Sequence, residues 1–320
     1  MAPVYLLLGD QALLREEFLS RLLSVLLPPE LQAFNLDVLS GSEARGADLA
    51  VRCRTLPVLS ARRVIVVKEV DRLRTEAGEA MLTYLDAPSP TTCLICVAHE
   101  LDTRSRLVQR IDRVGKILRF TLPRQPDECR RWCQQWIRER AKRHGKTLNP
   151  DAELLLFSLQ GPDLLRLGHE VDKLCLFVGD EQNIELDAVE AVVGEGRMRE
   201  IFELTGAVSR RDREGALFCL RRLLELGEEP LGILGMVARQ VRLVLRAKEL
   251  LAEDRPQGEI SRMIGVPPRF LPEILEGAKG SSLPRLEQGL SRLLDLDREL
   301  KSGGRRQPLH VELAIVDLCS

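Results

Sequence analysis

The first residues whose types and spacing could serve chemistry follow the apolar run VYLLL near the start of the chain. An apolar run, then Gly9, then a helix-like segment is the strand, turn and helix order of a nucleotide-binding unit. A phosphate-binding loop needs a second glycine, a lysine and a hydroxyl residue, but Leu14, Arg15 and Glu16 stand at those positions. Asp10 adds negative charge at the mouth of the loop. The sequence GDQALLRE therefore predicts a degenerate loop that does not bind ATP.

Acidic and imidazole side chains give no catalytic arrangement. Glu69 and Asp71 follow the apolar run VIVV and resemble the acidic pair that binds magnesium in ATPases. Without a phosphate loop, we predict that both are solvated or structural. The four histidines are dispersed along the chain: His99, His144, His169 and His310. A histidine without catalytic partners nearby in the sequence is usually structural or solvated. We therefore expect no catalytic residue.

The cysteine spacing argues against a metal centre. Cys93 and Cys96 form a C-x-x-C pair, but TTCLICVA is typical of a strand, in which positions three apart point to opposite faces. Cys129 and Cys133 share a helix face, yet the two pairs lack the turn that zinc ribbons use. The eight cysteines are therefore expected to be small buried hydrophobic residues in a reducing compartment, with neither a metal nor another cofactor.

The stretch Leu56–Leu73, LPVLSARRVIVVKEVDRL, carries the most unusual apolar pattern of the chain. Its β-branched run VIVV predicts a strand that is buried on both faces, as in a parallel sheet. The loop before this strand carries Pro57, Val58 and Leu59 where turns normally carry polar residues. An apolar tip on a rigid strand could insert into the pocket of a partner, or it could fold onto the core of its own domain.

Length and charge set outer limits on the function. A chain of 320 residues is too long for one compact core, which predicts two or three domains. Its 47 basic and 48 acidic side chains give a net charge of −1, so any contact with nucleic acid must come from local patches. The start lacks the features of a secretory signal, and no apolar run approaches the roughly 18 residues of a membrane span. We therefore expect a cytoplasmic protein without a membrane segment.

Alternating strand and helix patterns predict an α/β domain with a parallel sheet over residues 1–122. The predicted strands lie at 4–8, 34–41, 64–67, 91–100 and 116–123. From Pro126 onwards the strand signals stop. A small helical domain is predicted over 123–197, with Trp132 and Trp136 packed against a neighbouring helix. A larger all-helical domain is predicted over 198–320.

Five stretches follow one another along nearly the whole chain: VYLLLGDQALLREE, TLPVLSARRVIVVKEVDRL, HELDTRSRLVQRI, GPDLLRLGHEVDKLCLFVG and IFELTGAVSRRDREGALFCLRRLLELGEEPLGILGMVARQVRLVLRAKELL. In this order they resemble the delta subunit family of the bacterial DNA polymerase III clamp loader. The resemblance implies an α/β plus α fold: an AAA+-like parallel-sheet domain, a small helical lid domain and a C-terminal helical collar domain. In that family the collar joins ATP-binding clamp-loader subunits and a delta-prime subunit in a five-membered ring.

For function, the resemblance implies a non-catalytic subunit that binds the sliding clamp, the beta subunit, and opens it for loading on primer-template DNA during chromosome replication. Such a subunit is not an enzyme by itself, but it is a component of the DNA-directed DNA polymerase III holoenzyme, a nucleotidyltransferase assembly. The resemblance assigns clamp binding to Leu56, Pro57, Val58 and Leu59. Family members commonly carry an aromatic residue in the contacting pair, so the aliphatic pair here is expected to bind more weakly by about 1 kcal/mol per site.

The resemblance also gives expectations for charged residues. Lys116 stands where the sibling subunits carry the arginine that completes a neighbour's ATP site, so this chain is expected not to activate a neighbour. Other basic residues could contact DNA phosphates or form a solvated surface; they are Arg104, Arg106, Arg305 and Arg306. Two alternatives stay open: an active AAA+ ATPase subunit, and a DNA-binding regulator without a clamp partner.

Overall fold

The computed structural model describes residues 2–193, 195–301 and 307–319. The chain forms two compact units, residues 1–124 and 125–320. The first unit is α/β and the second is almost entirely helical, which confirms the predicted fold class. The predicted division into domains at 1–122, 123–197 and 198–320 stays a prediction.

A five-stranded parallel sheet forms the centre of the first unit, as the alternating pattern predicted. Its strands are β1 (Val4–Leu8), β2 (Leu36–Ser40), β3 (Arg63–Lys68), β4 (Thr92–Ala98) and β5 (Lys116–Arg119). They lie in the order β2-β3-β4-β1-β5, and every neighbouring pair is parallel. β3 therefore lies inside the sheet, and its run VIVV is buried as predicted.

Helices cover both faces of this sheet. They are α1 (Ala12–Leu26), α2 (Pro29–Asn35), α3 (Gly46–Arg54), α4 (Thr75–Asp86) and α5 (Arg106–Val114). The core on one face packs Ile65 of β3 with Met81 of α4 and Ile111 of α5. The core on the other face packs Val66 of β3 with Leu19 of α1. Each β3 side chain therefore meets a helix on its own side, which is why an uninterrupted apolar run is stable there.

The short helix α2 was not predicted from the sequence. Pro29 lies in its first turn, where the fixed φ of proline suits the helix and its missing amide hydrogen costs nothing. The helix ends at Asn35, and β2 begins at the next residue, Leu36. The predicted strand therefore started two residues too early, inside this short helix.

The second unit is built from helices. They are α6 (Pro126–Arg143), α7 (Pro150–Gln160), α8 (Leu164–Phe177), α9 (Leu186–Val193), α10 (Glu195–Arg210), α11 (Arg213–Glu225), α12 (Pro230–Ala252), α13 (Gln257–Ile264), α14 (Leu271–Gly280), α15 (Leu283–Lys301) and α16 (Gln307–Leu318). Two short parallel strands also occur, β6 (Thr147–Leu148) and β7 (Asn183–Ile184). The prediction that strands stop at Pro126 was therefore wrong, because two-residue strands carry no detectable periodicity.

Packing between helices gives this unit its core. Trp136 of α6 is buried against α8, since a Cβ atom on Gly168 would lie 3.3 Å from its ring. This confirms that Trp136 packs against a neighbouring helix. A second cluster joins the later helices through fully buried residues such as Leu204, Leu220 and Ile274. Across the described ranges, every helix is too short or too polar to span a bilayer.

Candidate functional site

The apolar loop, residues 55–62, connects α3 to β3. It lies at the end of the sheet where the parallel strands begin. The exposed fraction is 87% for Leu59, 70% for Leu56 and 48% for Val58, while Pro57 is half-buried. Leu59 and Val58 are therefore exposed in their own unit, which argues against the alternative that they fold onto its core. Their role in clamp binding stays a prediction.

A buried asparagine holds the backbone of the apolar loop. Asn35 ends α2 and has no exposed surface. Its Nδ2 donates to the carbonyl of Val58 at 2.8 Å and to that of Leu31 at 3.1 Å, while its Oδ1 accepts the amide of Val58 at 2.7 Å. Two bonds to one residue fix the backbone of Val58 and leave its side chain outside. Asn35 was not among the predicted site residues; Pro28 and Pro29, at the start of α2, are the helix-start signal that the sequence contains.

A carboxylate on β2 ties the two ends of the apolar loop together. Asp37 Oδ1 lies 2.6 Å from Nη1 of Arg52, in the last turn of α3. Its Oδ2 lies 2.5 Å from Nη2 of Arg63, the first residue of β3. The side chains of Asp37 and Arg63 are each 13% exposed, so solvent screens this pair poorly. Both ends of the loop are therefore fixed to the same strand.

Leu59 adopts a left-handed backbone conformation, with a φ of 53°. For a residue with a Cβ atom this conformation costs about 1–2 kcal/mol. The strain falls on a strongly exposed apolar side chain in a loop whose neighbouring backbone is held by Asn35. A strained backbone persists where the surrounding contacts determine it, and such positions cluster at binding sites.

Exposed apolar side chains also occur on the elements that hold the loop. Phe34 of α2 is 60% exposed, Val51 of α3 is 66% exposed and Val38 of β2 is 55% exposed. The carbonyl of Phe34 accepts a hydrogen bond from Arg63 Nη1 at 3.1 Å, so this part of α2 is attached to the end of the loop. The apolar character of the region therefore extends to its supporting elements.

Replacing Asn35 with alanine is expected to lower the free energy of unfolding by about 2 kcal/mol, because the amide and carbonyl of Val58 lose their partners. Urea denaturation followed by circular dichroism measures the change. Gln32→Ala is the matched control, since Gln32 lies on the same helix and donates to the carbonyl of Leu27 at 3.3 Å. Its expected loss is below about 1 kcal/mol. Equal losses in the two variants would contradict a bracing role for Asn35.

The degenerate loop after β1 lies at the opposite end of the sheet, where the parallel strands end. Gly9 has a φ of 140°, and a Cβ atom there would lie 2.2 Å from the carbonyl oxygen of Phe120. The amide of Gly9 donates to the carbonyl of Ala98 at 3.2 Å. Leu14 is half-buried and Asp10 is exposed. Backbone packing between strand ends therefore suffices to require this glycine, without any ligand.

Arg15 lies over the degenerate loop. Its Nη1 donates to the carbonyl oxygens of Gly9 and Ala98, the second at 2.8 Å. Glu16 reaches in another direction, with Oε1 2.9 Å from Nζ of Lys68 at the end of β3. The basic side chain next to the turn is thus held by backbone carbonyls, and the residue after it carries a carboxylate instead of a hydroxyl. The absence of ATP binding by this loop stays a prediction.

The acidic pair after β3 makes contacts within its own unit. Glu69 Oε2 accepts a hydrogen bond from the hydroxyl of Ser40 at 3.3 Å, and its Oε1 lies 3.0 Å from Nη1 of Arg72. Asp71 Oδ1 accepts the amide of His99 at 3.3 Å. Both acidic residues are exposed. Their contacts agree with a structural role, which was one of the two predicted roles.

Lys116 is the first residue of β5 and is exposed. In the sheet it lies opposite Tyr5 at the start of β1. Lys116 therefore lies at the end of the sheet that also carries the apolar loop, away from the degenerate loop of the same chain. An ammonium group at this position lacks the planar fork of arginine. Its lack of an activating role stays a prediction.

The predicted DNA-facing residues are only partly described. Arg104 and Arg106 lie next to the start of α5 and are exposed. Arg106 Nη1 lies 3.3 Å from Oε1 of Glu79, and this exposed pair leaves its charge partly compensated. The other two residues of this set lie outside the described residues: Arg305 and Arg306. DNA contact by any of the four stays a prediction.

Among the residues that the structure describes, one group of side chains could reach a single metal ion. The ligand atoms of Glu200, Glu203 and Cys219 lie within 4.8 Å of one another. Nη1 of Arg222, however, lies 2.8 Å from Oε1 of Glu200, so a guanidinium already compensates the buried carboxylate. Burial also raises the pKa of the Cys219 thiol to about 11, which disfavours the thiolate that would bind a metal. We assign no metal to this group.

The cysteines considered for zinc do not form one cluster. Cys93 belongs to the core on one face of the sheet and Cys96 to the core on the other, as the strand pattern predicted. Burial raises the pKa of the Cys93 thiol to about 11. Cys129 and Cys133 lie on α6, in the second unit. The two pairs therefore occur as separate groups of small buried or half-buried side chains.

Comparison with known proteins assigns the family. The model of the DNA polymerase III delta subunit matches residues 5–121, and the model of the C-terminal domain of that subunit matches residues 198–318. The chain belongs to the DNA polymerase III delta subunit family. The match over residues 5–121 includes the five-stranded sheet, the apolar loop and the degenerate loop. The match over residues 198–318 includes the later helices of the second unit.

Relatives of known name agree with the delta subunit assignment. The DNA polymerase III subunit delta of Bacillus subtilis (strain 168) is 27% identical over 326 residues, which cover 99% of this chain and 92% of that protein. The solved structure of the Bacillus subtilis DNA clamp loader delta protein, also 27% identical, superposes with a TM-score of 0.57. It covers 99% of this chain and 95% of the solved chain. The delta subunit likeness therefore extends over both units.

Proposed function

We propose that this delta subunit binds a sliding clamp through the apolar loop and holds the clamp ring open, so that it can be loaded on primer-template DNA. The observation that carries the proposal is the exposure of Leu59 and Val58 on a loop that Asn35 and Asp37 brace. An unsupported apolar loop would collapse onto its own unit or stay mobile. A braced loop presents its apolar side chains at low entropic cost on binding.

Clamp opening requires that the subunit bind the open ring more tightly than the closed one. The apolar side chains supply affinity, because they fill an apolar pocket of the partner in either state of the ring. The difference in affinity between the two states must come from the surface around the loop. Phe34, Val51 and Val38 are exposed apolar side chains on the elements that carry or adjoin the braces.

The proposal includes the absence of ATP hydrolysis by this chain. Arg15 is engaged by backbone carbonyls, and Leu14 and Glu16 stand at positions where a phosphate loop carries glycine and a hydroxyl. Lys116 would not serve as an arginine finger for a neighbour. ATP-binding clamp-loader subunits and a delta-prime subunit would complete the five-membered ring in the cytoplasm and control when the apolar loop is presented. Arg104 and Arg106 are the described candidates for contact with the DNA that passes through this ring.

The test uses the full chain and the sliding clamp of the same organism. Surface plasmon resonance is expected to detect clamp binding without ATP, because the apolar loop is already exposed in the isolated chain. Equilibrium dialysis with labelled ATP is expected to detect no binding at micromolar concentrations, because the degenerate loop lacks the phosphate-binding groups.

These two measurements, together with a titration of the full chain with duplex DNA at varied salt, separate the alternatives. Micromolar ATP affinity would replace the proposal by an active ATPase subunit. Absence of clamp binding together with strong, salt-sensitive duplex binding would favour a DNA-binding regulator. Clamp binding without ATP affinity is the combination that the proposal requires.

A further inference from the structure

A cleft of about 770 Å³ in the second unit collects arginine side chains. It lies between α6, the turn from α7 to α8, α12 and α13. We name it the arginine cleft after Arg130, Arg166, Arg239, Arg242 and Arg246. Its acidic lining residues are Asp127 and Asp163. The cleft is thus basic, although the whole chain has a net charge of −1.

Some of these arginines are compensated by acidic neighbours. Arg130 Nη2 lies 3.1 Å from Oδ1 of Asp127, and Arg166 Nε lies 3.5 Å from Oδ2 of Asp163. Arg246 Nη1 lies 2.8 Å from Oε2 of Glu249. The uncompensated positive charge of the cleft therefore belongs to the remaining pair on α12.

That pair is Arg239 and Arg242. Together with Arg246 they occupy positions i, i+3 and i+7 of α12, which lie on one helix face. Neither Arg239 nor Arg242 has an acidic partner within 4.0 Å among the described residues. Two neighbouring guanidinium groups without a carboxylate repel each other, and the repulsion is weakly screened where they leave water.

Arg239 is held in place although its charge is unfavourable there. Its guanidinium lies over the ring of Phe157 at 5.3 Å and donates from Nη2 to the carbonyl of that residue. Gly161 has a φ of 69°, and a Cβ atom there would lie 2.6 Å from Nη1 of Arg239. The Nε atom is buried without a hydrogen-bond partner. Burial, and then the charge of Arg242, lower the pKa of Arg239 to about 9. An anion in the cleft would offset both the burial of the Arg239 guanidinium and its repulsion by Arg242.

We propose that the arginine cleft binds phosphate groups of a nucleotide-containing ligand, with Arg242 and Arg239 as the main contacts. A phosphate carries several oxygens that can accept hydrogen bonds from two guanidinium groups at once. The two oxygens of a carboxylate, by contrast, are already occupied by the paired N–H groups of a single arginine. The cleft volume falls within the range of small-molecule sites, which is enough for one nucleotide unit. Leu231, Met236 and Leu243 add apolar lining against which a base can pack.

The phosphate can come from single-stranded nucleic acid or from a free small phosphate compound. For a replication subunit, single-stranded DNA is the source that we expect, because its phosphates are presented in series and the lining residues Gly235, Arg242 and Arg246 of α12 are exposed. This site is distinct from the apolar loop, which belongs to the other unit. Loss of phosphate binding would therefore leave clamp binding unchanged, and the failure of one proposal is distinguishable from the failure of the other.

The test compares Arg242→Glu with Arg221→Glu in the full chain. Both arginines are exposed on helices of the second unit, and Arg221 lies outside the lining of the cleft. Fluorescence anisotropy with a labelled single-stranded oligothymidylate at low ionic strength is expected to show an affinity loss of about tenfold for Arg242→Glu and little change for Arg221→Glu. The slope of log affinity against log salt is expected to fall by about 0.7 when one phosphate contact of a single strand is lost.

Competition identifies the source of the phosphate and can overturn the proposal. Displacement of the oligonucleotide by pyrophosphate at a similar concentration of phosphate groups would identify a free small phosphate as the ligand. Failure of pyrophosphate to compete would identify the nucleic-acid backbone. Equal affinity of the two arginine variants, or equally strong displacement by polyglutamate, would overturn phosphate recognition by this cleft.

Discussion

Replacing Val58 and Leu59 together with aspartate is expected to lower affinity for the sliding clamp by about a hundredfold or more, which a pull-down would register as loss of binding. Each substitution removes the burial of an apolar side chain, a contribution of about 1.5–3 kcal/mol. Each also places a carboxylate against an apolar pocket, where it would have to lose its hydration. The circular dichroism spectrum should stay unchanged, because both side chains are exposed in the isolated chain.

The chain offers a matched control for this double substitution. Leu176 and Phe177 are also adjacent and exposed, at 81% and 59%, but they lie on α8 in the second unit. Leu176→Asp with Phe177→Asp should keep clamp binding, since it adds the same charge at a different surface. Unfolding of the Val58→Asp, Leu59→Asp variant would instead assign these residues to the core and remove the basis for the proposed function.

Replacing Asp37 with alanine is expected to lower the free energy of unfolding by about 3 kcal/mol, because it leaves the guanidinium of Arg63 largely buried without its carboxylate. The same change releases Arg52, so the end of α3 and the start of β3 are no longer tied to β2. Urea denaturation measures the stability loss. Clamp binding should also weaken, because the apolar loop then has more conformations to lose on binding.

Asp48→Ala is the control for the Asp37 substitution. Asp48 Oδ2 lies 2.9 Å from Nε of the same Arg52, but its side chain is 48% exposed and the pair is one helical turn apart. Exposed pairs of this kind contribute about 0.5 kcal/mol or less. A stability loss for Asp37→Ala no larger than that for Asp48→Ala would mean that the bridge does not fix the ends of the loop.

The sheet could be predicted from the sequence because its signals are local. An uninterrupted β-branched run is stable only where both faces are covered, and VIVV of β3 occupies such a position. The same reasoning separated Cys93 and Cys96 onto opposite faces. The same reasoning failed for β6 and β7. Each of these strands has only two residues, too few for a periodic pattern, and its partner strand lies more than thirty residues away in the sequence.

The candidate site could be predicted only in part. The apolar composition of Pro57, Val58 and Leu59 is visible in the sequence, but their exposure depends on contacts with Asn35 and Asp37 from a different segment. A polar residue acquires such a role through tertiary placement, and nothing local distinguishes it from a solvated residue. The left-handed conformation of Leu59 is likewise imposed by the surroundings, since leucine does not favour it.

The two loops of the first unit are attached to opposite ends of the same parallel strands. β1 and β3, of 5 and 6 residues, separate these ends by about 17–20 Å. That separation is more than twice the Debye length of about 8 Å at physiological ionic strength. Through solvent, charge substitutions in the degenerate loop are therefore largely screened at the end of the sheet that carries the apolar loop. A charge added at one end of the strands is thus expected to leave the affinity of a partner bound at the other end nearly unchanged.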